Sequence, residues 1–405
     1  MTKGKRVNLP SVLTKHLIKF MMKTRVNEKR GKSMLYLDYA ANTPVDEEVL
    51  ATFVELSTKY IANPNASHSL GQAAKLKLEE ATEKIAKILG VNPSEIIYTS
   101  GATESNNLAI KGACHYYKRY GKHIITTYLE HSSVSSTATA LHNEGYEIEF
   151  VDIKPDGQID LGHLASLLRK DTIMLAISDV DSEIGARQPV EAIRTLINDK
   201  APHCLLHVDV TQAIGKVDVP IEHIDLMTFS SHKFYGLNGC GVLVKKDKVM
   251  LEPLLHGGTS TTAFRSGTPT LGLIGSLAKA LEIADKERET RFNYVKELND
   301  QLREGLSNHS VVQINSPTEA SPYILNLSLI GIKAREVQEK LAHLETYVAT
   351  KSACCTLNSP SRPVYAITKD RKKALSTLRI SLSHLTTKEE IKIFLSQFKE
   401  IIDSL

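Results

Sequence analysis

The sequence predicts an α/β fold with a large domain on a mainly parallel sheet, and two observations carry this prediction. First, short apolar segments alternate with helical patterns from residue 34 onwards, as strands and covering helices do in α/β proteins. Second, a long helical pattern at Gly275–Leu306 is followed by a different order, in which two strand patterns precede the next helix. This change predicts a smaller α+β domain at the C-terminal end.

The strands of the large domain are predicted from short apolar runs that suit burial on both faces of a sheet. They are Glu95–Thr99, His123–Thr127, Ile148–Val151, Ile173–Ile177, Cys204–Val208, Leu226–Phe229 and Val242–Lys245. Helical patterns lie between them at Ala102–Lys118, Leu161–Leu168 and Val190–Asn198. An earlier helix is predicted over Gly71–Leu89, because its apolar residues share one face and Gly90 follows as a C-terminal cap.

The C-terminal part predicts a second, smaller set of elements. Its strands are Val311–Ile314, Tyr323–Ser328 and Leu378–Leu382, with a helix at Ala334–Leu344. A last helix is predicted to begin at Thr387, because Glu390 three residues on completes a capping box. We therefore divide the chain into a leader at 1–33, a large domain at 34–290 and a small domain at 291–405. The first residues of the large domain are expected to pack with the small one.

The composition excludes several classes of protein. The 405 residues are 42% apolar and 24% charged, which is typical of a globular protein and excludes collagen, coiled coil or disorder for the whole chain. No run of 18 apolar residues occurs, so we expect no membrane-spanning segment. Five cysteines are too few for a disulfide framework, and their odd number indicates reduced thiols. We therefore expect a cytoplasmic protein.

The charge is distributed unevenly along the chain. Residues 1–33 hold ten Lys and Arg residues and one acid, Glu28, which gives this leader a formal charge of +9. Since the whole chain carries +4, the remaining residues carry −5, and this acidic body gives no reason to expect direct nucleic-acid binding. Three interpretations of the leader stay open: an arm that binds nucleic acid, an organellar transit peptide, or an extended gene start before Met34.

Polar residues follow three of the predicted strands, at the edge where open α/β sheets bind their ligands. In the turn Thr99–Ser105, Gly101 allows a sharp change of direction. The N–H groups that open the next helix, from Ala102 onwards, can hold an anion together with the Thr103 hydroxyl. Many α/β proteins turn with such a sequence, so an ordinary structural turn is the alternative.

Asp209 and Lys233 follow two further strands. A carboxylate at the end of a buried strand, such as Asp209, needs a cation or several hydrogen-bond donors. A helix N-cap is the other interpretation of Asp209. Lys233 lies beside Phe234 and Tyr235, and burial there would lower the pKa of its amine and free it for Schiff-base chemistry. A solvated surface lysine is the alternative for Lys233.

Together these three features meet the needs of one cofactor, pyridoxal phosphate. That cofactor requires a cradle for its phosphate, a lysine for its aldehyde and a carboxylate that keeps its ring nitrogen protonated. A fourth candidate, His131, follows the strand His123–Thr127 and could stack on the ring or move protons. A lone histidine is more often structural, and that alternative also stays open.

Seven motifs, which occur in order, carry a resemblance to a known family. They are Tyr36–Pro44, Thr99–Ser105, Glu130–His131, Glu183–Gly185, His207–Asp209, Ser230–Lys233 and Arg265–Thr268. With them the chain resembles, from Met34 to its C-terminus, the cysteine desulfurases of the class V aminotransferase group. The resemblance implies fold type I of the pyridoxal phosphate enzymes and a homodimer. It also implies conversion of L-cysteine to L-alanine, with the sulfur passed to an acceptor protein such as an iron–sulfur scaffold or a tRNA thiolation enzyme.

The resemblance implies a role for each matching residue around the cofactor. Lys233 carries the Schiff base, Asp209 pairs with the ring nitrogen, and Gln212 hydrogen-bonds the ring hydroxyl. His131 stacks on the ring and takes part in proton transfer. The phosphate is held by Ala102, Thr103, Ser230 and His232, with Thr268 of the partner subunit.

The resemblance also implies the residues that act on the substrate. Arg379 receives the carboxylate of the amino acid, for which a guanidinium fork is well suited. Cys354 is the nucleophile, whose thiolate takes the sulfur as a persulfide. Two ordinary buried thiols, or a register in which Cys355 is the nucleophile, are the alternatives.

Several positions depart from the family pattern. Ser182 stands where an asparagine usually helps to orient the substrate carboxylate, Lys351 replaces a glycine, and 259–263 lack the usual Gly-rich stretch. These changes leave two other functions open. One is a pyridoxal phosphate-dependent lyase or aminotransferase on another small amino acid, and the other is a weakly catalytic sulfur-relay protein.

Overall fold

The computed structural model of the protein describes residues 34–258, 261–350 and 359–405. In its first part the elements are β1 (Leu35–Tyr36), α1 (Glu47–Lys59), α2 (Ser69–Leu89), β2 (Ile96–Thr99), α3 (Ala102–Tyr117), β3 (His123–Thr126), α4 (Ser132–Asn143), β4 (Glu147–Phe150), α5 (Leu161–Leu167), β5 (Thr172–Ser178), α6 (Val190–Lys200), β6 (Leu205–Asp209), β7 (Leu226–Ser230) and β8 (Gly241–Lys245). They continue with α7 (Leu271–Ser307), β9 (Val312–Ile314), β10 (Ile324–Leu329), α8 (Ala334–His343), β11 (Thr346–Tyr347), α9 (Arg362–Thr368), α10 (Arg371–Leu375), β12 (Thr377–Ser381) and α11 (Lys388–Asp403).

A seven-stranded sheet forms the centre of the large part of the molecule. Its strand order is β2-β8-β7-β6-β5-β3-β4. The neighbours from β7 to β4 all pair in parallel, whereas β8 pairs antiparallel with both β2 and β7. Every residue of β5, β6, β7 and β8 is buried, as the continuous apolar runs indicated. The predicted mainly parallel sheet is therefore confirmed.

Helices cover both faces of this sheet. Leu108 of α3 and Val134 of α4 pack in one core on the first face, while Ile193 of α6 and Leu277 of α7 pack in another on the second. The sheet is thus held in the middle of three layers, and its edge at the carboxyl ends of the parallel strands stays open to loops.

The C-terminal part has its own sheet and its own core. β10 lies between β12 and β9 and pairs antiparallel with both. β1 pairs in parallel with β11, which brings the first described residues beside this part of the chain. The predicted boundary at 290/291 falls inside the 37-residue helix α7, whose residues contribute to the cores of both parts. The division into two domains stays a prediction.

The helices show where sequence signals were clear and where they were weak. α2 ends at Leu89 with Gly90 in the left-handed conformation, φ 64°, and α11 begins with the expected capping box of Thr387 and Glu390. α1, α4, α9 and α10 were not predicted. α4 is rich in Ser and Thr, which favour helix interiors weakly, and it depends on the His131 side chain as its N-cap. No helix in the described parts of the chain is long and apolar enough to cross a bilayer.

Candidate active site

A cavity of about 390 Å³ opens at the carboxyl ends of β6 and β7. Most of the predicted site residues line it together: Ala102, Thr103, His131, Ser182, Asp209, Gln212, Ser230, His232, Lys233 and Arg379. These residues are spread over almost 280 positions of sequence, so the fold itself assembles them. Thr268 does not line this cavity, and Cys354 lies outside the described residues.

The anion cradle lies at the start of α3. Gly101 has a φ of 154°, a conformation that favours glycine, and the backbone N–H of Ala102 donates to Ser230 Oγ at 2.6 Å. Gly241 at the start of β8 approaches this turn so closely that an added Cβ would lie 2.6 Å from the Gly101 Cα. Two glycines therefore let the helix N-terminus sit against the ends of β7 and β8, where Ala102 and Thr103 line the cavity.

Glu104 and Arg265 connect the cradle with a neighbouring segment. The Glu104 carboxylate accepts the Ser100 N–H at 2.6 Å and the Arg265 Nε–H at 2.8 Å, and this arrangement lowers the pKa of the Glu104 carboxyl although burial opposes the change. The exposed Thr268 lies in the same segment and lines a second cavity, which Ser100 also borders. The two cavities thus meet at the cradle, and Thr268 faces the second of them.

Asp209 is buried and held by two donors. Its Oδ1 accepts the backbone N–H of Thr211 at 2.9 Å and its Oδ2 accepts Asn106 Nδ2–H at 2.8 Å, with 6% of the residue exposed. The chain then forms a turn and no regular helix, so the N-cap interpretation of Asp209 is not supported. Among the described residues no cationic side chain is ion-paired with Asp209. A buried carboxylate of this kind favours a ligand that brings a positive charge.

Asn106 was missed by the sequence interpretation. It is fully buried on α3, and its Oδ1 accepts from Thr228 Oγ1 at 2.5 Å and from His207 Nε2 at 3.1 Å. Because those two partners satisfy the oxygen, the amide nitrogen must face Asp209. Burial lowers the pKa of His207 to about 4, so the histidine beneath Asp209 is neutral.

His131 caps α4 with its ring. Its Nδ1 accepts the backbone N–H of Ser133 at 3.1 Å and lies 2.8 Å from Ser133 Oγ. Since a backbone N–H can only donate, Nδ1 carries no proton, and the neutral ring therefore has its proton on Nε2. Burial lowers the pKa of His131, and Asp209 opposes this change while Lys233 and Arg362 add to it.

Lys233 ends a single 3₁₀ turn, Ser231–Lys233, directly after β7. Its Nζ donates to the backbone oxygens of Ala40 and Ala41 at 2.8 Å and 2.7 Å. The residue is half-buried, so the alternative of a solvated surface lysine is not supported. The neighbouring His232 is neutral, because burial together with Lys233 and Lys216 lowers its pKa to about 4.

Arg379 of β12 is buried, with 2% of the residue exposed. One terminal nitrogen donates to Asp38 Oδ1 at 2.7 Å and the other to the Ser182 backbone oxygen at 2.9 Å. The Arg379 Nε has no partner among the described residues. Ser182 thus contacts the guanidinium through its carbonyl group, and Asp38 is the counter-ion that sequence interpretation did not name.

Glu130 is a second carboxyl group near the cavity, which the sequence interpretation named only as part of a motif and without a role. It accepts from Thr127 Oγ1 and from Ser178 Oγ, both at 2.7 Å, and its residue is 2% exposed. Burial raises the pKa of Glu130 to about 7, and the two hydroxyl donors oppose this change. Its backbone oxygen accepts from Arg362, which ties the start of α9 to the residue before His131.

These residues fit pyridoxal phosphate. The cradle of Gly101, Ala102 and Ser230 suits a phosphate, the amine of Lys233 suits an aldehyde, and Asp209 offers a buried negative charge that lacks an ion-pair partner among the described residues. A fold with a mainly parallel sheet and this set in one cavity at its carboxyl edge defines the class of pyridoxal phosphate-dependent enzymes of fold type I.

Comparison with known proteins identifies the family. Residues 35–394 match the family Aminotransferase class-V. The chain is 37% identical over 385 residues to Cysteine desulfurase IscS of Glaesserella parasuis serovar 5 (strain SH0165), which covers 92% of this chain and 94% of that protein. A solved structure named NIFS-like protein superposes with a TM-score of 0.86 at 34% identity, over 92% of this chain and all of the other.

A second solved structure, titled SspA in complex with cysteine, superposes with a TM-score of 0.76 at 31% identity and covers 87% of this chain and all of the other. The chain belongs to the class-V aminotransferase family. The predicted fold, the predicted cofactor and the resemblance to the cysteine desulfurases are confirmed. The roles of the individual residues stay predictions.

Proposed function

We propose that this chain is a pyridoxal phosphate-dependent cysteine desulfurase that converts L-cysteine to L-alanine. The observation that carries the proposal is one cavity in which Lys233, Asp209 and the start of α3 face the same space as Arg379. The first three fit the cofactor, and the buried guanidinium fits the carboxylate of an amino acid. The names of the relatives, Cysteine desulfurase IscS and NIFS-like protein, support this function over others in the family.

The residues around the cofactor have distinct tasks. Pyridoxal phosphate, when bound, supplies an electron-accepting ring that stabilises negative charge at the α-carbon of an amino acid. Lys233 would hold the aldehyde through its amine, and the same amine would be the base that takes the α-proton. Asp209 keeps the ring nitrogen protonated. Ala102, Thr103, Ser230 and His232 bind the phosphate.

Arg379 and His131 act on the substrate. Arg379 lines the cavity, so its guanidinium can receive a carboxylate there, and Asp38 and Ser182 hold its terminal nitrogens in place. The Nε2–H of His131, fixed by the two contacts of Nδ1 with Ser133, donates a hydrogen bond inside the cavity.

Cys354 is the nucleophile of the proposal. Its thiolate would attack the sulfur of the bound cysteine, and the Cβ–S bond would break with its electron pair left on Cβ. Cβ would then take up a proton, so that alanine leaves and Cys354 keeps the sulfur as a persulfide. The described residues on both sides support this assignment. Ala349 pairs with Arg379 through two backbone hydrogen bonds, and Arg362 donates to Glu130.

The quaternary structure and the acceptor complete the proposal. We expect a homodimer in which Thr268 of the partner subunit binds the phosphate, which agrees with the position of Thr268 outside this cavity and near the cradle. The persulfide then passes to an acceptor protein, either an iron–sulfur scaffold or an enzyme of tRNA thiolation.

The test is mass spectrometry of the purified protein with bound cofactor after incubation with L-cysteine. The peptide with Cys354 should gain the mass of one or more sulfur atoms, and alanine should accumulate. The Cys354→Ser variant, incubated in the same way, should show neither. Alanine or another product without any sulfur-bearing cysteine would instead support a lyase or an aminotransferase.

A further inference from the structure

Lys216 is a buried lysine behind the cavity that the proposed mechanism does not use. It is 7% exposed and follows β6 by seven residues. Its Nζ donates to Gln212 Oε1 at 3.0 Å and lies 5.8 Å from the ring centroid of Tyr323. Burial lowers the pKa of Lys216 to about 7, and the positive charges of Lys233 and Arg379 add to this effect. Burial of a lysine costs free energy, and the hydrogen bond to Gln212 offsets part of that cost.

The two partners of Gln212 determine which way its amide points. Side-chain amides can usually be turned by 180° with little change in shape, and their orientation follows from hydrogen bonds. Below pH 7, where Lys216 is mostly protonated, its ammonium can only donate, so it requires the Gln212 oxygen. The Ala40 backbone oxygen can only accept, and it takes one N–H of Gln212 Nε2 at 2.9 Å. Both contacts therefore select the same orientation.

This orientation leaves one N–H of Gln212 for a ligand. Among the described residues the structure gives Nε2 a single acceptor, Ala40, and Gln212 lines the cavity. An acceptor oxygen on the bound group would meet that N–H. If the amide were turned by 180°, Gln212 would present its oxygen to the bound group in place of the N–H. That oxygen would repel a ligand oxygen that carries negative charge.

We propose that Lys216 is a positioning residue that fixes the amide of Gln212, so that its N–H donates to the ring oxygen of pyridoxal phosphate. The inference rests on the proposed function, because it requires the cofactor to bind in this cavity. Lys216 touches neither substrate nor cofactor in this role. Its effect passes through one hydrogen bond, and it should be specific for one oxygen of the ligand.

The test compares two cofactors in the wild-type protein and in variants of Lys216. Lys216→Met replaces the ammonium by an apolar group of similar length, and equilibrium titration of the apoprotein gives dissociation constants for pyridoxal phosphate and for 3-deoxypyridoxal phosphate, which lacks the ring oxygen. We expect Lys216→Met to weaken pyridoxal phosphate binding by roughly three- to tenfold, the size of one hydrogen bond, and the deoxy compound much less. Lys216→Arg, which can also only donate, should keep most of the preference for the ring oxygen.

Lys245→Met is the matched control. Lys245 is also a buried lysine, with 3% exposed, but its Nζ donates to backbone oxygens such as that of Val249 and it does not line the cavity. This variant should change the two dissociation constants by the same factor. Equal losses for both cofactors in Lys216→Met would overturn the inference and leave the proposed function intact. Failure of the wild-type protein to bind pyridoxal phosphate would instead overturn the proposed function.

Discussion

Asn106 connects Asp209 with Ser133 by donating one hydrogen of its amide to each, over 2.8 Å in both cases. The Ser133 hydroxyl in turn lies 2.8 Å from His131 Nδ1. One buried amide therefore fixes the position of the Asp209 carboxylate and, through the Ser133 hydroxyl, that of the His131 ring, whose proton lies on Nε2. Networks of this kind are rigid when every member is satisfied, and both ends of this one face the cavity.

The first prediction concerns Asp209. In Asp209→Asn the oxygen that accepts the Thr211 N–H is kept, but the negative charge is lost. If the charge raises the pKa of the ring nitrogen by about two units or more, its loss costs on the order of 3 kcal/mol and lowers kcat at least about a hundredfold. Steady-state alanine formation measures this, while the cofactor stays bound. Near-normal turnover in Asp209→Asn would mean that Asp209 only stabilises the turn after β6 and does not act on the cofactor.

The second prediction concerns the covalent anchor. Lys233→Ala removes the amine beside Ala40 and Ala41, so borohydride reduction should no longer trap the cofactor on the protein, and its yellow colour should wash out on dialysis. Lys216→Met is the matched control, because it removes the other lysine near Gln212 and should still give a trapped cofactor on Lys233. Peptide mapping that finds the trapped cofactor on another lysine in Lys233→Ala would contradict the assignment.

The third prediction concerns stability and Glu130. Its pKa is raised from 4.5 to about 7 in the folded protein, so between these values the fold holds a proton that the unfolded chain releases. The contribution of Glu130 protonation to the free energy of unfolding amounts to about 3 kcal/mol. It is fully present below pH 4.5 and is lost as the pH rises through 7. Glu130→Gln should therefore lose less stability than the wild type between pH 5 and 8.

Urea unfolding at several pH values measures this difference in slope. Glu289→Gln, a change at an exposed acid on α7, is the control and should follow the wild-type slope. If Glu130→Gln follows the wild-type slope as well, then Glu130 is ionised in the fold, and its two hydroxyl partners outweigh the cost of burial.

The fourth prediction concerns the substrate carboxylate. Arg379→Lys keeps a positive charge for Asp38 but loses the planar fork and the Nε–H, so we expect the KM for cysteine to rise about ten- to a hundredfold. The dissociation constant of the cofactor should change little. Arg303→Lys is the control, because Arg303 donates to the Ser316 and Pro317 oxygens and does not line the cavity. A normal KM in Arg379→Lys would remove this residue from the substrate site.

Much of the site could be predicted because its key residues stand at the ends of apolar strands. Asp209 and Lys233 are recognisable there, because a charged group at the end of a buried strand loses hydration and needs a partner or a ligand that offsets this loss. Asn106, Glu130 and Lys216 could not be recognised in the same way. They lie within or beside ordinary helix and turn patterns, and only the packing of α3 and of the loops after β3 and β6 shows that they are buried with polar partners.

The same contrast holds for the fold. The strands of the central sheet were predicted to within one or two residues, because burial on both faces produces continuous apolar runs. α4 was missed, since its sequence has no strong helical propensity and its start depends on a histidine ring. The pairing of β1 with β11 joins residues more than 300 positions apart, which no local pattern encodes.

The last prediction separates the two neighbouring thiols, Cys354 and Cys355, which lie outside the described residues. Side chains of adjacent residues leave the backbone in different directions, so only one of the two can face the substrate sulfur at a time. The segment Ser352–Thr356 resembles the loop that carries the nucleophilic cysteine in the cysteine desulfurases. This resemblance implies that Cys354 is the nucleophile. Cys354→Ser should therefore abolish alanine formation from cysteine and leave the absorbance of the bound cofactor unchanged, whereas Cys355→Ser should keep most of the activity. The reverse pattern would mean that Cys355 is the nucleophile. Full activity in the double variant would contradict the desulfurase function itself.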